Sequence, residues 1–296
     1  MNPAVSVVVP VFNGAATLAD CLRSISAQSL PRSAFEIIVA DDGSTDASPA
    51  IAERYGARIL RERHGGAPAA RNAGWRAARG AWVAFTDADC LPSRQWLASL
   101  VAAAERNSNG RAALGAAGRT LGFPSDTQAA RYVNVTGGLD AERHLSHPRF
   151  PFAPTANVMY RREALAAAGG FDTRYAAYDA CDLHERLRAI DAGAFVFEPN
   201  AIVLHHHRAD WPAYWRQQVN YGRGVAQFTL SHRGAIRWSI AHEFRAAGEL
   251  LGLALGAALP AAAEVALVRR GTFVKKLAQR LGFISTYWNP GERRRW

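Results

Sequence analysis

The chain opens on blocks of alternating hydrophobic period. Residues 5–10 (Val-Ser-Val-Val-Val-Pro) form a nearly continuous β-branched run, as expected of a strand buried on both faces. Over 17–28 the apolar positions become a helical stripe of Leu18, Cys21, Leu22 and Ile25. A strand at 35–40, a helix at 48–55, a weaker strand at 57–60, a helix at 69–79 and a strand at 81–86 continue the alternation. Such an order predicts parallel strands joined by right-handed crossovers. From 120 to 152 the periodicity gives way to Gly, Pro, His and Arg, which reads as a long, partly mobile loop region shaping a pocket. Order returns with a strand at 156–161, a helix at 162–168, a Gly169-Gly170-Phe171-Asp172 turn, a helix at 179–192 and strands at 194–197 and 201–205. From about Trp211 the chain reads as helices.

Composition narrows the class. A chain of 296 residues, 49% hydrophobic and 20% charged, suits one large α/β domain with an appendage. Cys21, Cys90 and Cys181 lie far apart and outside any metal-ligand spacing, which suits a reducing compartment without disulfides. No signal peptide is expected, because the first residues pass straight into a strand without a basic stretch. The charge is uneven: residues 205–296 carry 14 Lys and Arg against 5 Asp and Glu, whereas 1–204 carry 21 against 20. A basic segment on a neutral body implies an anionic surface partner. Nothing in it resembles a nucleic-acid recognition module, which leaves a membrane phospholipid surface. The uncharged run 250–263, interrupted by Pro260 and followed by Arg269, Arg270, Lys275 and Lys276, is shorter than the ~20 residues of a membrane span. It fits an interfacial or packed helix better.

The densest chemistry is Asp87-Ala88-Asp89, at the end of the predicted strand 81–86. On an extended strand end, side chains two apart point the same way, so the two carboxylates converge. Two hard oxygen donors there suit a divalent cation that also grips phosphates, in the crevice beyond the strand ends. Asp41-Asp42-Gly43-Ser44-Thr45-Asp46 closes the second strand; its carboxylates can accept from a base N–H or ribose hydroxyls, or serve as an ordinary turn and helix cap. Arg71 and Asn72 open a helix, where Arg71 can meet a diphosphate, a base or a surface carboxylate. In His205-His206-His207, alternation puts His205 and His207 on one side, and a neutral imidazole can complete a metal site beside Asp89.

Taken together, Val5 to Gly14, Asp41 to Asp46, Arg71-Asn72-Ala73-Gly74, Asp87-Ala88-Asp89, Gly169 to Asp172, Asp182-Leu183-His184-Glu185-Arg186-Leu187 and the strand into His205 resemble family-2 glycosyltransferases of the GT-A fold, over roughly residues 4–225. The resemblance implies a Rossmann-like, mostly parallel sheet flanked by helices. It implies residues 1–210 as the catalytic domain, with a nucleotide-binding half (1–119) and an acceptor half (120–210). Residues 211–296 would form a basic, helical, membrane-associated segment. The implied activity is inverting transfer from a nucleotide diphosphate sugar, usually UDP-linked, to a hydroxyl of a saccharide or lipid-linked acceptor, with Mn²⁺ or Mg²⁺. Asp41 matches a base contact, with Pro10 and Phe12 lining the nucleotide pocket beside Asp42. Arg71 and Asn72 match nucleotide or diphosphate contacts, Asp89 the direct metal ligand, Asp87 a ribose or metal contact, and His205 a further ligand. The position where the family carries its catalytic base reads Ala180 here, so Asp179, then Asp182, becomes the candidate. That departure keeps open a catalytically impaired nucleotide-binding or scaffold protein. A nucleotidyltransferase would need a basic Gly-rich loop after the first strand, and Pro10 to Gly14 holds none. The expected setting is cytoplasmic, peripheral at the inner face of the cell membrane, as a monomer or homo-oligomer.

Overall fold

The first β-branched run forms β1 (Val5–Val11), buried along its whole length. The computed structural model describes residues 2–106, 113–191, 195–232 and 239–289. α1 (Ala15–Ser26) buries Leu18, Cys21, Leu22 and Ile25. β2 (Phe35–Asp41), α2 (Ser48–Arg54), β3 (Arg58–Arg61), α3 (Ala67–Ala77) and β4 (Trp82–Phe85) complete the alternation. β1 pairs in parallel with β2 and β4, and β2 with β3. That is the geometry helical crossovers impose.

The chain continues through β5 (Cys90–Pro92), α4 (Trp96–Glu105), β6 (Gly115–Gly122), α5 (Gln128–Thr136), α6 (Ala141–Leu145), β7 (Val158–Arg161), α7 (Arg162–Ala167), α8 (Asp179–Ile190) and β8 (Phe195–His205). Among the described residues, the sheet has eight strands in the order β3-β2-β1-β4-β7-β6-β8-β5. It is mixed: β7 runs antiparallel to β4 and β6, and β5 antiparallel to β8. Alternation splits the core between two layers. Val7 and Val9 join Leu22, Leu97 and Trp96 in one, and Val8 joins Phe85, Tyr160 and Leu183 in the other.

Several sequence expectations need correction. The region expected to be irregular holds two helices. α5 buries Ala129, Ala130, Tyr132 and Val133 and ends on Gly137 in the left-handed conformation. α6 starts at Asp140, whose carboxylate accepts from the Arg143 N–H at 3.1 Å. The apolar stripe of α5 is short and half alanine, so its period barely stands out from the polar sequence around it. The strands expected at 194–197 and 201–205 are one strand, β8. Glu198 Oε1 accepts from Asn200 N at 3.1 Å and from Asn200 Nδ2 at 3.0 Å, which carries the strand past Pro199. The expected helix end at 192 and strand start at 194 lie outside the described residues.

The chain divides into two compact units: Met1–Leu121, Leu139–Thr173 and Asp179–His206 in the first, and Gly122–Gly138, Arg174–Tyr178 and His207–Trp296 in the second. Thus 122–138 and 174–178, expected within a 1–210 domain, belong with the C-terminal helices. The second unit contains α5, α9 (Trp211–Ser231), α10 (Ile240–Ala258) and α11 (Ala263–Trp288). Tyr132 of α5 packs edge-on against Tyr214 of α9, with ring centroids 5.8 Å apart. α9 and α11 touch backbone to backbone: a Cβ on Gly222 would lie 1.9 Å from the Gln279 carbonyl oxygen. Among the described residues, no helix is long and apolar enough to cross a membrane.

Candidate functional site

Asp87 and Asp89 do converge, but through a turn rather than an extended strand end. β4 stops at Phe85, and the Cys90 N–H donates to the Asp87 carbonyl at 3.0 Å. β5 then pairs with β8 so that Cys90 stands opposite His205, and the His206 N–H donates to the Asp89 carbonyl at 2.9 Å. This pairing, invisible to local pattern, delivers His205 to the turn. His205 Nε2 lies 3.3 Å from Asp89 Oδ1. Asp87, Asp89, Cys90 and His205 each offer one ligating atom, all within 4.8 Å of one another.

Sequence reading did not anticipate Cys90 in this cluster. Burial, with Asp87 and Asp89 adding to it, pushes the Cys90 thiol well above its ordinary range. Sulfur is a soft donor that hard cations do not favour. The two carboxylates and the imidazole make a hard-to-borderline set that fits Mn²⁺ or Mg²⁺.

Arg71 links this turn to the start of α8. It is 7% exposed; its Nη1 lies 2.9 Å from Asp179 Oδ2 and its Nη2 3.4 Å from Asp87 Oδ1. Among the described residues, the buried Arg71 Nε has no hydrogen-bond partner. Burial raises the pKa of Asp179, and the Arg71 charge opposes that rise. Asp182, one turn further along α8, pairs instead with Arg186, at 2.7 Å to Nη2 and 2.9 Å to Nε.

The loops after β1 and β2 are stitched together. Asn13 N donates to Ser44 Oγ at 2.9 Å, Thr45 N to Asn13 Oδ1 at 2.8 Å, and Ala15 N to Asp46 Oδ2 at 2.9 Å. Gly43 makes the turn with φ +83°, a conformation open to residues without a Cβ. Asp41, 2% exposed, accepts from the Ser44 N–H at 3.0 Å. Pro10 sits inside β1 opposite Ala40. Phe12, just past β1, is 48% exposed and stacks on His64 with ring centroids 4.3 Å apart.

Two residues expected to touch a nucleotide are hydrogen-bonded within the fold. Asp42 accepts from the Gly65 and Gly66 N–H groups at 2.8 and 2.9 Å, which fixes the entry to α3. Asn72 donates to the Phe171 carbonyl at 2.7 Å, and its oxygen accepts from Phe171 N at 2.9 Å and Trp75 Nε1 at 2.8 Å. It ties α3 to the Gly169-Gly170-Phe171 turn. Asn72→Ala should therefore cost about 2–3 kcal/mol by stranding buried donors and acceptors, read as a lower urea midpoint. An unchanged midpoint would remove this structural role.

The family profile of glycosyl transferase family 2 matches residues 6–169. Glycosyltransferase AglE of Haloferax volcanii is 28% identical over 246 residues, covering 79% of this chain and 77% of the relative. The pre-mycofactocin glycosyltransferase of Mycobacterium tuberculosis is 30% identical over 237 residues, covering 77% of this chain but 48% of the relative. Among solved structures, the mannosyltransferase PcManGT of Pyrobaculum calidifontis, in complex with GDP-Man and Mn²⁺, superposes with a TM-score of 0.67 at 20% identity. That likeness covers 97% of this chain and 88% of PcManGT.

Proposed function

The chain belongs to glycosyl transferase family 2, and from that premise we propose that it moves a sugar from a nucleotide diphosphate sugar to an acceptor hydroxyl by a single inverting displacement. The observation that carries the proposal is the group Asp87, Asp89 and His205 beyond the ends of the parallel strands, joined through Arg71 to Asp179. Asp87, Asp89 and His205 are the residues that would hold Mn²⁺ or Mg²⁺. A cation bound there supplies charge neutralisation for a departing diphosphate.

The remaining roles fall to the chain itself. The exposed face of Phe12 offers a stacking surface for the base, with Asp41 as acceptor for a base N–H and Pro10 lining the nucleotide pocket. Arg71 meets the diphosphate side of the donor and opposes the rise that burial gives the Asp179 pKa. Asp179 takes the proton from the acceptor hydroxyl, so no covalent intermediate is needed. Asp182 is the weaker candidate, because its carboxylate is turned to Arg186. PcManGT, solved with GDP-Man, supports the donor class while leaving the base open between UDP and GDP. We place the reaction at the inner face of a membrane, on a saccharide or lipid-linked acceptor, supported by the charge excess of residues 205–296.

A panel of UDP, GDP and their sugars, with and without Mn²⁺, tests the proposal by thermal shift. At a ligand concentration of about 100 times Kd, a bound donor contributes about 2.7 kcal/mol. The expected result is that at least one member raises Tm by several degrees only when the cation is present. No shift from any member in Mn²⁺ would overturn it.

A further inference from the structure

α10 is amphipathic in an unusual sense, because its outward face is entirely apolar. Phe244 is 73% exposed, Leu251 and Leu255 63% each, and Leu259, which closes the helix, 60%. At 100° per residue these four lie within about 80° of arc, and exposed Ala247, Gly248, Gly252 and Ala258 widen the stripe to about 140°. A Cβ built on Gly248 or Gly252 meets nothing within 4 Å, so no other part of the described chain covers this face. The opposite face is tied to α11: Glu249 pairs with Lys276 Nζ at 2.8 Å, and Glu243 pairs with Arg280.

We propose that this face of α10 is a membrane-docking surface that lies in the headgroup layer of an anionic bilayer. The inference deepens the membrane setting of the proposed function and rests on it. Charge selects the occupant. The face belongs to a segment with 14 basic against 5 acidic residues, and within that segment Arg245 of α10 and Arg270 of α11 are exposed. A second copy would bring two such segments together, and their like charges would oppose the contact. An anionic lipid surface accepts both the apolar stripe and the charge. The helix lies along the bilayer rather than across it, because crossing would bury Glu243, Arg245 and Glu249 on its other face.

The test is flotation of the full chain with phosphatidylcholine vesicles, with and without phosphatidylglycerol. Binding should appear with the anionic lipid and weaken as salt rises. In the double variant Leu251→Asp/Leu255→Asp it should fall at least ten-fold. Both positions are exposed, so the helical CD signal and the donor-induced thermal shift should persist. Depth is read separately. Cys21, Cys90 and Cys181 are buried, so an environment-sensitive dye attached through Leu255→Cys reports one site. Its emission should shift to the blue on anionic vesicles, while the same dye at Glu249→Cys should not. Wild-type chain that ignores anionic vesicles at low salt would overturn the proposal. So would undiminished binding by the double variant, or a solution dimer that the double variant splits. Vesicle binding as expected with no donor shift in either protein would sink the transfer reading and leave the docking surface standing.

Discussion

Asp89→Ala should abolish the effect of Mn²⁺ on donor stabilisation and lower transfer at least 10²–10³-fold, the scale set by removing a group that faces developing charge in a closed site. The carboxylate is one of the three proposed donors, and its Oδ1 lies 3.3 Å from His205 Nε2. The fold should tolerate the change, because the turn is held by backbone: the Asp89 carbonyl still accepts from His206, and the Asp87 carbonyl from Cys90. Cys90→Ala is the matched control. Its sulfur lies in the same cluster but is a soft donor poorly matched to Mn²⁺ or Mg²⁺, so transfer should stay within a few-fold of wild type. Equal losses in the two variants would mean that the cluster acts through packing rather than through its carboxylates.

Asp179→Asn should leave donor binding nearly intact and cut turnover by about 10²–10⁴, the usual range for a general base. The pH dependence adds a sign. Asp179 must be ionised to accept a proton, and burial raises its pKa while Arg71 holds it down. Turnover should therefore fall as pH drops, beginning above the range of an ordinary carboxylate. Arg71→Gln removes the opposing charge and should move that acid limb to still higher pH. An active Asp179→Asn beside an inactive Asp182→Asn would transfer the role one turn along α8 and break the assignment.

The parallel half of the sheet was legible because burial on both faces forces runs such as Val5–Val11, which few other structures need. The Asp-Ala-Asp turn was legible as chemistry but not as geometry. Its shape depends on β5, three residues whose hydrogen-bond partners come from β8 at the far end of the first unit. The same remoteness hid Cys90, which reads locally as a small core residue. Asn72 and Asp42 show a different limit. An amide or carboxylate near a predicted strand end can serve a ligand or a neighbouring turn, and the turn partners Phe171 and Gly65 are not visible in the local pattern. α10 carries its signal in full, an apolar stripe with charges behind it, but sequence alone does not tell a buried stripe from an exposed one.

The most direct test of the central claim is a Mn²⁺ titration of sugar-nucleotide turnover by the wild-type chain, read beside Asp89→Ala. At saturating donor, release of nucleoside diphosphate from at least one UDP- or GDP-linked sugar should rise from background to a plateau as Mn²⁺ is added. It should return to background with chelator and stay there at every cation concentration in Asp89→Ala. Turnover that is indifferent to chelator, or a Mn²⁺ curve for Asp89→Ala that overlays the wild type, would contradict the account.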